Sequence, residues 1–199
     1  MNLLNGTKCY LIGPIEQSND PTSWRDRVSK SLNEMGVKVY DPMKKPTWAP
    51  TIASEASKGK FLEVINDLDL KGESYITIGD IEYYNGMRWI RDVDLRYVHS
   101  SDFIVCYLPR TFSMGSGEEL TTAINTGKPV LIWSDGGLVP SSWLSTMMCD
   151  NLSDIKDSFF HTEEELLTYL RSVNNNEVPL DPLKWIFLSY FHDVKLKDK

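Results

Sequence analysis

Glu118 and Glu119 follow directly on Gly115-Ser116-Gly117 in the stretch "FSMGSGEELTTAINTGKPV" at 112–130. A glycine-rich turn running into a helix leaves backbone N–H groups that can hold an anion or a polar ligand. Successive helical residues point about 100° apart, so only one of the two acids can aim into a pocket there while the other faces solvent or a neighbour. A third acid, Asp94, has Ile90 four residues before it and Tyr97 and Val98 three and four after. That spacing sets it on or beside an apolar helical stripe, facing inward. A cap, or a buried ion pair with Arg91 or Arg96, is the other reading of the same pattern. Asp102, in the "SSD" turn before an apolar run, reads as turn chemistry.

Absences narrow the chemistry. There is no G-x-x-x-x-G-K-[ST] loop, no C-x-x-C pair and no G-x-S-x-G elbow, and His99, His161 and His192 lack metal-ligand spacing. Phosphoryl transfer from a nucleoside triphosphate, a zinc site and a serine nucleophile are therefore unsupported. No metal and no cofactor is expected, and carboxylates are left as the reactive groups.

The elements that must position them alternate. "KCYLIG" (8–13), "VKVYDP" (37–42), "DFIVCYL" (102–108) and "KPVLIW" (128–133) are short apolar runs, as strands covered on both faces should be. The short "DSFF" (157–160) is the expected fifth strand. Asp20 as cap and Pro21 as first residue predict a helix carrying Trp24, Val28, Leu32 and Met35, ended by Gly36. Further helices are expected at about 86–99, from near Ser116, and after a Thr162/Glu165 capping box. Strands alternating with helices predict an α/β fold, a doubly wound parallel sheet of about five strands, Rossmann-like or flavodoxin-like, with helices on both faces. Residues 1–173 are read as one domain, interrupted at about 42–85 by an insertion or lid with a helix near Phe61 to Leu70. Residues 174–199 form a tail whose "WIFLSYF" should pack on the domain or on another subunit, in a homodimer or larger homo-oligomer.

A chain of 199 residues with 41% hydrophobic and 11% aromatic content can bury a core. A formal net charge of −7 argues against a nucleic-acid polymer or an anionic membrane surface as partner. Cys9, Cys106 and Cys149 are odd in number and far apart, which fits a reducing cytoplasm without disulfides. No signal peptide and no membrane span is expected. The charge pattern therefore favours a small-molecule partner.

Taken together, "YLIGPI" (10–15), "RDVDLRYVHSSDFIVCYLP" (91–109), "SMGSGEEL" (113–120) and "A...TGKPV" (123–130) resemble the nucleoside 2-deoxyribosyltransferase family, including its relatives that hydrolyse deoxynucleoside 5'-monophosphates. The resemblance covers about 8–134, and neither 42–85 nor the tail aligns with it. It implies that Glu119 is the catalytic Glu of a G-x-G-x-E-L element, that Asp94 is the Asp of a D-L helix motif, and that Tyr10 is the first-strand Tyr holding the nucleophile. Glu118 falls on a variable position. Gly13 and Pro14 match the turn lining the sugar site.

Cleaving an N-glycosidic bond builds oxocarbenium character at the sugar, which a carboxylate can stabilise or capture as a glycosyl ester. Glu119 would be that nucleophile. Asp94 would give a proton to the departing base or orient the sugar, and water or a second base would accept the sugar. Nucleotide-acting relatives carry Ser where nucleoside transferases tend to carry an acid. Ser113, with the N–H groups of Gly115 and Gly117, therefore implies a 5'-phosphate site. Arg25 and Arg110 read as surface residues or as added phosphate charge, and Lys44 or Lys45 could offset the acidic field. The alternative is a non-catalytic nucleotide-binding or sensor module on the same fold.

Overall fold

The computed structural model describes residues 2–15, 18, 20–45, 78–109, 113–135, 142–148, 157–191 and 193–197. The expected helix at 61–70, Arg110, His192 and Cys149 lie outside them. In chain order the elements are β1 (Lys8–Ile12), α1 (Ser23–Glu34), β2 (Lys38–Tyr40), α2 (Ile78–Ser100), β3 (Phe103–Tyr107), α3 (Met114–Asn125), β4 (Val130–Trp133), α4 (Ser142–Met148), β5 (Phe159–Phe160) and α5 (Glu163–Asn174). All strand pairs are parallel and the order is β2-β1-β3-β4-β5. This is the doubly wound sheet that the alternating elements predict.

The strands read as continuously apolar because alternate residues feed two cores. Cys9, Leu11, Phe103, Val105, Leu131 and Trp133 meet α1 through Trp24, Val28 and Leu32, and α5 through Leu166, Leu170 and Val173. Tyr10, Ile12, Ile104, Cys106, Val130 and Ile132 point the other way, onto Val98 of α2 and Leu120 and Ala123 of α3. Each fully buried large aliphatic contributes about 1.5–3 kcal/mol, so neither face can be exposed without loss of the fold. Trp185 and Leu188 of the tail complete the first core together with Leu180, while Leu183, Ile186, Tyr190 and Phe191 are exposed.

Several boundaries differ from expectation. α1 begins at Ser23 with Thr22 at the cap position, and Asp20 Oδ1 instead accepts from the N–H groups of Thr22 (3.2 Å) and Ser23 (3.0 Å) in the turn before it. α2 is already helical at Ile78, where Gly79, Ile81, Tyr83 and Asn85 are weak helix formers that hide the start. α3 starts at Met114, two residues before Ser116, because Ser113 is the cap. α4, seven residues without a capping box, was not foreseen. The Thr162 cap forms as expected, with Thr162 Oγ1 accepting from Glu165 N–H at 3.1 Å. Asp102 binds as a structural clamp, its Oδ2 accepting from Lys8 N–H at 2.7 Å.

Because β1 lies between β2 and β3, the chain leaves the carboxyl ends of β1 and β3 in opposite directions, opening a crevice between the two turns. The Gly13-Pro14 turn follows β1. The Ser113 cap of α3 lies on the connection that follows β3.

Candidate active site

Tyr10 sits in the middle of β1 and its side chain points toward α2 and α3, fully buried. Its hydroxyl donates to Glu119 Oε1 at 2.7 Å. Glu119 occupies the second turn of α3, and the rotation between neighbouring helical residues sends Glu118 elsewhere. Glu118 is held by Arg91 of α2, whose Nε donates to Oε2 at 2.7 Å while Nη2 reaches Oε1. One acid turns in and one turns out, as the sequence requires.

Asp94 projects from α2 onto the same side of the sheet and is buried, at 7% exposure. Its partner is neither Arg91 nor Arg96 but Lys45, whose Nζ lies 2.9 Å from Oδ1 and 3.0 Å from Oδ2. A lysine 49 positions away could not be read from helical spacing. Lys44 turns outward to Asp26 at 2.6 Å.

The electrostatics follow from this crowding. Burial pushes the Glu119 carboxyl up to about 8 and the nearby Asp94 charge adds to the rise, against the lowering effects of the Tyr10 hydrogen bond, Lys45 and Arg25. Glu119 keeps partial exposure as a residue although the surroundings of its carboxyl desolvate it. Burial also raises Asp94, opposed first by Lys45 and then by a hydrogen bond with Tyr10 and the charge of Arg25. Burial, then Glu119 and Asp94, hold the Tyr10 phenol well above its ordinary value. Tyr10 therefore stays neutral and can bridge two carboxyls.

Arg25 is not a surface residue. It is fully buried under the β1 turn, with Nη2 donating to Gly13 O at 2.7 Å and Nη1 to Pro21 O. Its Nε lies 3.7 Å from Asp41 Oδ1 and its guanidinium 4.3 Å from the Trp24 ring centroid. A side chain at Gly13 would place Cβ 2.6 Å from Trp24 Cζ2, so only glycine fits over that indole. Arg25 and Trp24 thus fix the Gly13-Pro14 turn from below. Sequence reasoning missed this role, and the only signal was a basic residue beside the apolar helix stripe.

Ser113 is committed locally. Its Oγ accepts from Ser116 N–H at 3.2 Å and donates to the buried Ser116 Oγ at 3.0 Å. The Gly117 N–H bonds Ser113 O at 3.0 Å, so it is not free for a ligand and the expectation for that group is corrected. Among the described residues, the N–H groups of Met114 and Gly115 at the helix start have no hydrogen-bond partner. No group of three or more His, Cys, Asp or Glu is placed to hold a metal ion among the described residues. Likewise, no described helix is long and apolar enough to cross a membrane.

No family model and no curated protein matches the chain. Among solved structures it is similar to a 2-deoxyribosyltransferase from the psychrotolerant bacterium Bacillus psychrosaccharolyticus, described as a biocatalyst for the synthesis of antiviral and antitumoral nucleosides. The identity is 15%, covering 80% of this chain and 95% of the other, at a TM-score of 0.45.

Proposed function

We propose that the protein cleaves the N-glycosidic bond of a 2'-deoxynucleoside 5'-monophosphate or a 2'-deoxynucleoside. The observation that carries this reading is the buried Tyr10–Glu119 hydrogen bond with Asp94 beside it. A binding module has no need of two desolvated carboxyls aimed at one phenol, because burying ionisable groups without a task costs stability.

In the reaction, the C1'–N bond breaks and its electron pair stays on the base nitrogen. An oxygen of ionised Glu119 bonds to C1', giving a glycosyl ester, while Asp94 in its protonated form gives its proton to the departing base. The base leaves neutral and Asp94 becomes a carboxylate. Water or a second base then attacks C1', the Glu119 O–C1' bond breaks with its electron pair returning to Glu119 as a carboxylate, and Asp94 takes back the proton that this nucleophile loses. Arg25, by holding Gly13 O, keeps the first turn in place against the sugar.

The test is incubation with a panel of deoxynucleosides and their 5'-monophosphates, with and without a second free base, reading base release and exchange. Release in water indicates a hydrolase and exchange indicates a transferase. Nucleotide binding without either would leave the sensor module as the better reading.

A further inference from the structure

The two carboxyls at Tyr10 are not served equally. Asp94 has a cation to itself, with Lys45 Nζ within 3.0 Å of both oxygens and both side chains only 10% exposed. Lys45 also donates to Pro42 O at 3.0 Å, which fixes its ammonium rather than leaving it to swing. The short turn delivering it is braced by Asp41, whose Oδ1 accepts from Met43 N–H at 2.9 Å and whose carbonyl accepts from Lys44 N–H at 2.9 Å. Glu119 is hydrogen-bonded by the neutral Tyr10 phenol instead. The groups facing Asp94 are Lys45 after β2, Tyr10 of β1, Glu119 of α3 and, beneath the turn, Arg25 of α1.

Two neighbouring buried carboxyls resist ionising together, and the one paired with a cation takes the charge first. We propose that Lys45 is a positioning residue that decides which carboxyl carries the site's proton, keeping Asp94 as the anion and leaving the proton on Glu119 in the resting protein. This split concerns ionisation alone, but its consequence for turnover rests on the reaction proposed above. There the roles must be reversed before the glycosidic bond breaks. Glu119 then loses its proton as Asp94 gains one, so the pair stays singly protonated. Lys45 opposes that transfer, and the reactive arrangement is the minor one of the singly protonated pair.

Carboxyl-selective carbon-13 NMR titration of the full chain, with Asp94 and Glu119 assigned by their Asn and Gln variants, tests the split directly. In wild type Asp94 should titrate below Glu119. In Lys45→Met its midpoint should rise by roughly one unit or more, and Lys45→Arg should restore it. The pH profile of kcat/KM for base release in Lys45→Met should move upward on both limbs. An Asp94 midpoint above that of Glu119 in wild type overturns the proposal without any variant, and so does an unmoved Asp94 midpoint in folded Lys45→Met. The expected NMR shifts in a protein that releases no base would support the proton split while sinking the glycosidic reading.

Discussion

The Tyr10 hydroxyl lies 2.7 Å from Glu119 Oε1, joining the middle of β1 to the second turn of α3 across 109 positions of sequence. That contact exists because β1 and β3 are neighbours in the sheet and α3 follows β3 back over the face to which Tyr10 points. A hydrogen bond from the phenol favours the charged form of that carboxyl against burial.

Tyr10→Phe should therefore raise the Glu119 ionisation above its value near 8, by about one unit, because a hydrogen bond to the charged form is lost. On the proposed reaction, less nucleophile is then ionised at neutral pH. The expected loss in kcat/KM at pH 7 is about 10- to 100-fold, read from the pH profile of base release. An unshifted profile would remove Tyr10 from the mechanism.

Glu119→Ala should abolish base release with the fold intact, whereas Glu118→Ala should keep most of it. Glu118 is half out in solvent against Arg91, and an exposed pair of that kind is worth about 0–1 kcal/mol. Equal loss in both variants, with circular dichroism unchanged, would show that the inward register has been misassigned.

How far the sequence carries is seen in these same residues. The alternation of strands and helices and the divergence of Glu118 from Glu119 follow from hydrophobic periodicity and 100° arithmetic, which are local rules, whereas the choice of Glu119 as the inward acid came with the family resemblance. Asp94's inward face was legible for the same reason. Its partner was not, because Lys45 reaches it across a long connection and no local pattern encodes that approach. Arg25 was hidden similarly: its burial depends on Gly13 O, Pro21 O and Asp41 converging on one guanidinium. The Ser113 hydroxyl looked free in sequence, since nothing there reveals that the helix begins at Met114 and uses it as a cap.

Gly13→Ala places a methyl 2.6 Å from Trp24 Cζ2, and this indole packs on Tyr107 and Trp133, so it has little room to yield. Overpacking of this kind costs about 1–3 kcal/mol. The turn should shift with it, lowering kcat/KM as well as the urea midpoint. A variant with wild-type stability would show that Trp24 moves freely.

Stability should carry the mark of Glu119. Its folded value near 8 stands above its ordinary 4.5, so between those pH values the folded protein binds the proton more tightly than the unfolded chain. Stability is therefore lost as pH rises through that window, by roughly 2–5 kcal/mol once past it. Glu119→Gln keeps an acceptor for Tyr10 and removes the titration. It should match wild type in thermal midpoint near pH 4 and exceed it at pH 9, and equal midpoints at both pH values would contradict the elevated carboxyl.

On the proposed reaction, the choice between nucleotide and nucleoside is expected to turn on Ser113. A 5'-phosphate there would meet the Met114 and Gly115 N–H groups and the positive end of α3, a contribution of about 0.3–2 kcal/mol or roughly 2- to 30-fold. Ser113 and Ser116 hydroxyls can add to it only by leaving each other, since they are bonded at 3.0 Å. The expected preference for the monophosphate in kcat/KM is therefore about tenfold, smaller than a wholly free hydroxyl would give. Ser113→Asp is a clean probe, because aspartate caps a helix as well as serine does and the fold should survive while a negative charge replaces the hydroxyl. Phosphate is then repelled, and the preference should reverse toward the unphosphorylated nucleoside. If wild type already prefers the nucleoside and Ser113→Asp changes nothing, the phosphate-site reading fails and a nucleoside transferase becomes the better assignment.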